Sequence, residues 1–393
     1  MKGKTLIFIP YQDSDNFYSD GILTREFAML YLLYQQGYTE VINVKKPRTV
    51  LDKKRYKVNE SYYPEGTIES KVKVILDNSN TVQQLPLLSI QQVLFKRGWW
   101  TKGYLNSFDD ISTEINGERE CLVYSNNPYA SELLKELKKR QCKIYFDIMD
   151  NFAIHPSLST SEKKIALEGY KSILKFADIV SANSQQTCEY MKKYCSKKIL
   201  LVKNGVFLNN EIKDIGACDQ ISEIIEKKKK FSKTVGYIGK LGKRLDAQLI
   251  RDVSEACKNM LFVFVGPYLE DQLNGELMEL FKQDNNVLHL EGIPSAFVYS
   301  MLDQFDILMI PHSVGKNENG GDPLKLYQYL TRNKPIITTP ILGVDEFKDS
   351  IEIALDTNRW IEYVSSNIEV KNLCTTIDFD WLTRFKPVMR DLT

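Results

Sequence analysis

Short apolar runs alternate with amphipathic stretches along nearly the whole chain. In the first half, the runs at 6–9, 41–44, 121–124, 143–147, 179–182 and 199–202 are short, β-branched or aromatic, and bounded by polar residues, which predicts buried strands. Between them, 24–36, 131–140, 162–176 and 185–194 place their apolar residues at helical spacing and predict helices. The stretch from 50 to 115 follows neither period and predicts no definite element.

A second cycle opens after a charged segment, 209–233, that reads as a linker and contains the run Lys227–Lys230, a solvated linker or helix end. Strands are predicted at 234–238, 261–265, 287–290, 307–310 and 335–338, and helices at 246–259, 270–283, 295–304 and 323–332. Strand–helix alternation of this kind builds a parallel sheet covered by helices on both faces. Two such cycles define an α/β chain of two Rossmann-like domains facing a cleft, 1–205 and 206–375, with an amphipathic run at 379–385 beyond them.

The length of 393 residues agrees with two domains, since one core rarely organises so many. With 52 basic against 51 acidic residues, the chain lacks the strongly basic character that nucleic-acid binding favours, and no nucleic-acid partner is expected. The apolar run at 5–9 is too short for a signal peptide, and no run approaches the roughly 20 residues of a bilayer span. The seven cysteines (Cys121, Cys142, Cys188, Cys195, Cys218, Cys257 and Cys374) are scattered without a C-x-x-C pair, and there are three histidines. Reduced thiols, a cytoplasmic location and the absence of a metal centre are the corresponding expectations.

Chemistry concentrates in the second half. In Gly320-Gly321-Asp322-Pro323-Leu324-Lys325-Leu326-Tyr327-Gln328, two glycines make a turn, Asp322 reads as an N-cap and Pro323 as the first helical residue. Free amides at such a start attract anions, and Lys325 adds a full positive charge beside a pyrophosphate. Gln328, three residues on, falls on the same helix face with an amide suited to ribose hydroxyls. Gly239-Lys240-Leu241-Gly242-Lys243-Arg244, Gly266-Pro267 and Gly292-Ile293-Pro294 each end a predicted strand of the same domain. Ligands of open parallel sheets bind outside the carboxyl ends of the strands, so these loops converge on a nucleotide pocket, with Lys240 and Arg244 preferred over Lys243 as phosphate partners.

Together these stretches resemble GT-B glycosyltransferases that build bacterial polysaccharides. Pro323-Leu324-Lys325-Leu326-Tyr327-Gln328-Tyr329-Leu330 followed by Lys334-Pro335-Ile336-Ile337-Thr338-Thr339 is similar to the family's P-L-K-[LF]-x-E-Y-L…K-P-V-V-x-T block. Val287-Leu288-His289-Leu290-Glu291-Gly292, Phe305-Asp306-Ile307-Leu308-Met309-Ile310-Pro311 and Tyr237-Ile238-Gly239 with Arg244-Leu245-Asp246 match its other donor-domain motifs in order, over 234–340. In the first half the resemblance rests on Tyr145-Phe146-Asp147-Ile148-Met149-Asp150-Asn151-Phe152. Gln328 stands where many relatives have glutamate, and the earlier of the two glutamates of retaining members falls at Gly320. The Lys325–Gln328 spacing resembles instead the inverting glucuronosyltransferase of xanthan synthesis.

The resemblance implies transfer from a nucleoside-diphosphate sugar to a glycan or lipid-linked acceptor in cell-surface polysaccharide synthesis, inverting and without metal. The sugar nucleotide is a co-substrate, and no cofactor is expected. Donor contacts are expected from Gly239, Lys240, Arg244, Gly266, Gly292, Ile293, Gly321, Asp322, Pro323, Leu324, Lys325 and Gln328. Asp150 is the candidate base with Asp147 second, and Asp20 and Arg25 are the acceptor candidates. The segment 376–393 is expected to cross back onto the first domain, as the last helix of GT-B enzymes does. Trp99 and Trp100 read as core, with a sugar platform or a membrane-surface contact as the other readings. The pairs Lys163-Lys164, Lys192-Lys193 and Lys197-Lys198 read as solvated faces, with peripheral contact to anionic membrane as the other reading. A retaining transferase, a sugar-nucleotide 2-epimerase and a non-catalytic GT-B partner subunit are the competing functions.

Overall fold

A computed structural model of the chain describes residues 4–48, 59–83, 96–115, 120–155, 158–208, 218–268, 273–283, 286–315, 322–368, 370 and 376–392. The chain divides into two compact units, Met1–Lys203 together with Trp381–Thr393, and Asn204–Asp380.

The first unit is built on seven strands: β1 (Thr5–Ile9), β2 (Glu40–Val44), β3 (Asn80–Val82), β4 (Cys121–Ser125), β5 (Lys143–Ile148), β6 (Ile179–Ala182) and β7 (Leu200–Leu201). They pair in the order β3-β2-β1-β4-β5-β6-β7, all parallel. Leu6, Ile7, Phe8 and Ile9 are fully buried, as a strand covered on both faces requires. The helix Thr160–Phe176 starts on a capping box, in which Ser159 and Glu162 each satisfy the other's backbone amide. The helix Trp381–Leu392 completes this unit, burying Trp381, Phe385 and Val388.

The second unit has six strands: β8 (Lys233–Ile238), β9 (Met260–Val265), β10 (Val287–Leu290), β11 (Ile307–Ile310), β12 (Ile336–Thr338) and β13 (Glu352–Ile353). Their order is β10-β9-β8-β11-β12-β13, again all parallel. Chain order therefore reverses between β1 and β4 in one unit and between β8 and β11 in the other. Loops on either side of such a switch point diverge above and below the sheet and leave a crevice at its carboxyl edge.

Differences from the sequence reading have local causes. Within 209–233, expected as a linker, lies the helix Asp219–Lys227, and the lysine run continues it as a single 3-10 turn. Ile221 and Ile224 are buried, an apolar pair at helical spacing that the flanking lysines hide in the composition. Between 50 and 115 the described residues form the helices Ile68–Asp77, Trp100–Leu105 and Phe108–Glu114 and the edge strand β3. The predicted helix 323–332 contracts to Leu324–Leu330, and 295–304 splits into a 3-10 turn and a helix, Val298–Leu302. The strand β13 and the helix Thr357–Ser365 were not predicted; two residues of strand carry no period. Among the described residues, no helix is long and apolar enough to cross a membrane. Six cysteines are described, all free thiols; Cys374 lies outside the described residues.

Candidate functional site

The second unit gathers its unusual side chains at the switch between β8 and β11. β8 runs out at Ile238, and Gly239 turns the chain with φ 147°, a conformation side chains rarely adopt. A Cβ there would lie 2.1 Å from Cε and 2.5 Å from Nζ of Lys325, so glycine leaves the room that this lysine fills. A Cβ on Gly266 would in turn fall 2.0 Å from the Gly239 carbonyl oxygen, so the two glycines let the β8 and β9 loops touch backbone to backbone.

The loop from Gly239 to Asp246 is held on both sides. Leu241 N donates to the Pro267 carbonyl at 2.9 Å, Asp246 N to Pro311 at 3.0 Å, and Ser313 N to the Arg244 carbonyl at 2.7 Å. Asp246 then caps the helix Ala247–Ala256 by accepting from Leu249 N at 3.0 Å. These ties fix where Arg244 leaves the backbone.

Three cations result. Lys325, half-buried in the first turn of its helix, holds Nζ 5.2 Å from the centroid of the Tyr237 ring. Arg244 is half-buried and its Nε has no hydrogen-bond partner, while Lys240 is exposed. No ion pair is recorded for any of the three among the described residues. Burial, then the charges of Arg244 and Lys240, push the Lys325 amine down to about 7. His312, at the end of β11, accompanies them with an imidazole held well below its ordinary pKa by burial and then by Lys325 and Arg244. Its Nε2 lies 3.2 Å from the Tyr237 hydroxyl, which is also 3.3 Å from the Lys240 carbonyl oxygen. Positive charge is thus concentrated at a sheet edge with no ion-paired carboxylate among the described residues, an arrangement that favours an anionic ligand.

The other expected donor residues lie around this edge. Asp322 does not cap the helix, whose capping position is Pro323 with no side-chain bond. Instead its carboxylate accepts from Asn204 N at 2.5 Å and from the Tyr327 hydroxyl at 2.5 Å, which fixes the approach to the helix. Leu324 and Gln328 are half-buried, Gln328 one turn beyond Lys325. Gly292 lies against Pro267, and Ile293 is buried. Gly321 lies outside the described residues. The helix Leu324–Leu330 has seven residues, so the full charges, and not a macrodipole, dominate the electrostatics. His312 was not singled out in the sequence; the signal available was its place directly after a buried strand and Pro311.

In the first unit, Asp147 and Arg25 meet inside the protein. Arg25 Nε and Nη2 donate to the Asp147 carboxylate at 2.8 and 2.9 Å, with side-chain exposures of 2% and 0%. Ser181 and Tyr124 donate to the same carboxylate at 2.5 and 3.2 Å, and the guanidinium packs 5.4 Å from the Trp381 ring. Asp20 is exposed at the end of the helix Ser14–Asp20 and accepts from the Ser19 hydroxyl. Asp150 occupies a different position: half-buried, two residues beyond β5, in a turn where Tyr170 donates to its carbonyl at 2.7 Å. Around that turn, Tyr11 packs 4.4 Å from Phe152, and Arg97 lies 6.0 Å from the Tyr11 ring and 5.8 Å from Trp100 while pairing with Glu162 at 2.8 Å. Trp99 and Trp100 are both half-buried.

No family model matches the chain. Among curated proteins it is 26% identical over 270 residues to a protein named as the teichuronic acid biosynthesis glycosyltransferase TuaH of Bacillus subtilis, and the match spans 64% of either chain. Among solved structures it is similar to HepE of Anabaena in complex with UDP and glucose (13% identity, 99% of each chain, TM-score 0.63). It is also similar to sucrose-phosphate synthase of Thermosynechococcus elongatus (12% identity, 99% of each chain, TM-score 0.68). A third likeness is to the UDP-forming trehalose-phosphate synthase of Burkholderia vietnamiensis (10% identity, 99% and 96% covered, TM-score 0.67). These likenesses establish the architecture as the GT-B fold, two Rossmann-like units each carrying a parallel sheet.

Proposed function

We propose that this chain is a glycosyltransferase that binds a nucleoside-diphosphate sugar at the β8–β11 edge and moves the sugar to a glycan or lipid-linked acceptor in cell-surface polysaccharide synthesis. The observation that carries the reading is the trio Lys325, Arg244 and Lys240, which gathers at one sheet edge without an ion-paired acidic partner among the described residues, burial and then the two neighbouring charges pushing the Lys325 amine down to about 7. A diphosphate supplies the missing charge. Lys325 and Arg244 hold its oxygens, Gly239 leaves the room in which Lys325 is seated, Gly266 lets the β9 loop pack against Gly239, and Gln328 reaches the ribose. The naming of TuaH as a glycosyltransferase and the UDP of the HepE structure support a sugar nucleotide, with uridine as the first base to test.

In the proposed reaction Asp150 takes the proton of the acceptor hydroxyl, whose oxygen attacks the anomeric carbon with inversion. The bond to the diphosphate breaks, and its electron pair leaves on an oxygen stabilised by Lys325 and Arg244 without a metal or cofactor. Asp150 is preferred to Asp147 because the latter is fully buried and already accepts from Arg25, Tyr124 and Ser181. For the same reason Arg25 is assigned to the interior of its unit and not to the acceptor. A thermal-shift series with UDP, GDP, ADP and TDP, followed by the matching sugar nucleotides, tests the reading. One nucleotide is expected to raise Tm; no shift with any of them would refute a donor site.

A further inference from the structure

The second unit contains another cavity, of about 760 Å³, at the opposite side of its sheet from β13. It wraps the edge strand β10, which pairs only with β9 among the described strands. The volume lies in the range of small-ligand sites.

Two features of the lining select a ligand class. The first is a set of rings: His289 of β10 stacks on Phe281 at 5.2 Å and 19°, and Tyr268 packs 4.7 Å from the same imidazole. All three are half-buried, so they offer ring surface to a ligand as well as to the core. The second is charge: Lys227, Lys230 and Lys282 line the cavity, and among the described lining residues there is no aspartate or glutamate. Lys227 is paired with Glu223 at 2.8 Å, whereas Lys230 and Lys282 are exposed and form no ion pair among the described residues. Phe231, beside Lys230, packs on the core of one sheet face, and Phe281, beside Lys282, on the core of the other. Lys230 and Lys282 leave the described lining positive beside the rings, which suits a ligand that carries both sugar faces and carboxylates.

This wall is joined to the donor loop. Tyr268 forms a β-bridge with Leu241, Leu241 N donates to the Pro267 carbonyl at 2.9 Å, and His289 Nε2 lies 2.9 Å from the Gly266 carbonyl oxygen. Gly266 is the residue whose backbone abuts Gly239.

We infer that the β10 cavity binds an acidic oligosaccharide, whose sugar faces stack on Tyr268 and the His289–Phe281 pair while its carboxylates meet Lys230 and Lys282. The site is separate from the proposed donor site, so its test does not depend on that reading. The full chain is titrated calorimetrically with a tetrasaccharide of alternating glucuronate and N-acetylglucosamine, with neutral cellotetraose, and with UDP. The acidic tetrasaccharide is expected to bind at least about tenfold more tightly than cellotetraose at low ionic strength and to weaken with added salt. The double variant Lys230→Glu/Lys282→Glu, both at exposed positions, should lose that preference, and Tyr268→Ala should weaken both sugars. UDP binding by the lysine variant should match wild type and should not compete with the tetrasaccharide. Equal binding of acidic and neutral sugars, a preference retained by the double variant, or displacement by UDP would each overturn the inference. Absence of binding at millimolar sugar would do so too, leaving lysines that merely guard a sheet edge against pairing.

Discussion

The depressed pKa of Lys325 makes a quantitative prediction about how the donor site responds to pH. In the free protein the amine titrates at about 7 because burial, Arg244 and Lys240 all disfavour its charge. A bound diphosphate reverses the balance and returns the amine toward its ordinary value of about 10.4. Between these two values the complex holds a proton that the free protein lacks, so affinity must fall as pH rises. The free amine is about half protonated at pH 7 and about one part in a hundred at pH 9, which weakens UDP binding about fiftyfold, or ~2.3 kcal/mol. The terminal phosphate, whose last ionisation lies near 6, is already charged across this range and adds little slope. Calorimetry at pH 7, 8 and 9 and constant ionic strength, in buffers of different ionisation enthalpy, should show an uptake of about 0.9 proton per UDP at pH 8. Lys325→Met should bind weakly and without the slope. A dissociation constant constant within about threefold from pH 7 to 9, with no buffer dependence, would refute the reasoning. The sign is the same for folding: a lysine whose folded pKa lies below its unfolded value costs stability at low pH, and that cost fades as pH rises from about 7 toward 10.5.

Gly239→Ala places a methyl 2.1 Å from Lys325 Cε on a backbone with φ 147°, and is expected to reduce UDP affinity about thirtyfold, read by calorimetry, with the sheets intact by circular dichroism. Asp150→Asn should lower the transfer rate about 10²- to 10⁴-fold while leaving the UDP dissociation constant within a factor of about two; transfer within a few-fold of wild type would remove Asp150 as the base. Arg25→Leu strands the buried Asp147 carboxylate and should cost about 3–5 kcal/mol of stability in denaturant titration, a loss that an acceptor-contacting arginine would not produce.

How legible this molecule is from its residues depends on the range of the forces involved. Strands such as β1, β4 and β9 are visible because a doubly covered parallel strand must be apolar on both faces, and that requirement is written in consecutive letters. The helix Thr160–Phe176 is visible for a similar reason, its capping box and apolar stripe being local. Helix Asp219–Lys227 is not, because two buried isoleucines among lysines become a pattern only once a core exists to receive them. Gly239, Arg244 and Lys325 could be named from their motifs, since glycine at a strand end and a cation in a first helical turn are local signals. That Gly239 makes room for Lys325, that Tyr237 lies beneath its amine and that His312 completes the group are facts about residues up to 88 positions apart, brought together where β8 and β11 exchange order.

The first unit shows the opposite outcome. Arg25 and Asp147 looked like a pair of separate functional groups, because a charged side chain carries no mark in the sequence of the partner it will meet. Packing of the helix Arg25–Gln35 on the sheet brings residues 122 positions apart to 2.8 Å, and burial turns two candidates for chemistry into one ion pair. Sequence alone thus determined the periodicities, the two α/β cycles and the residue types at the strand ends, all of which depend on neighbours within a turn or a strand. Tertiary structure decided which charges neutralise one another and which are left facing an edge, because Coulomb energy and desolvation depend on distances in space that the order of residues does not contain.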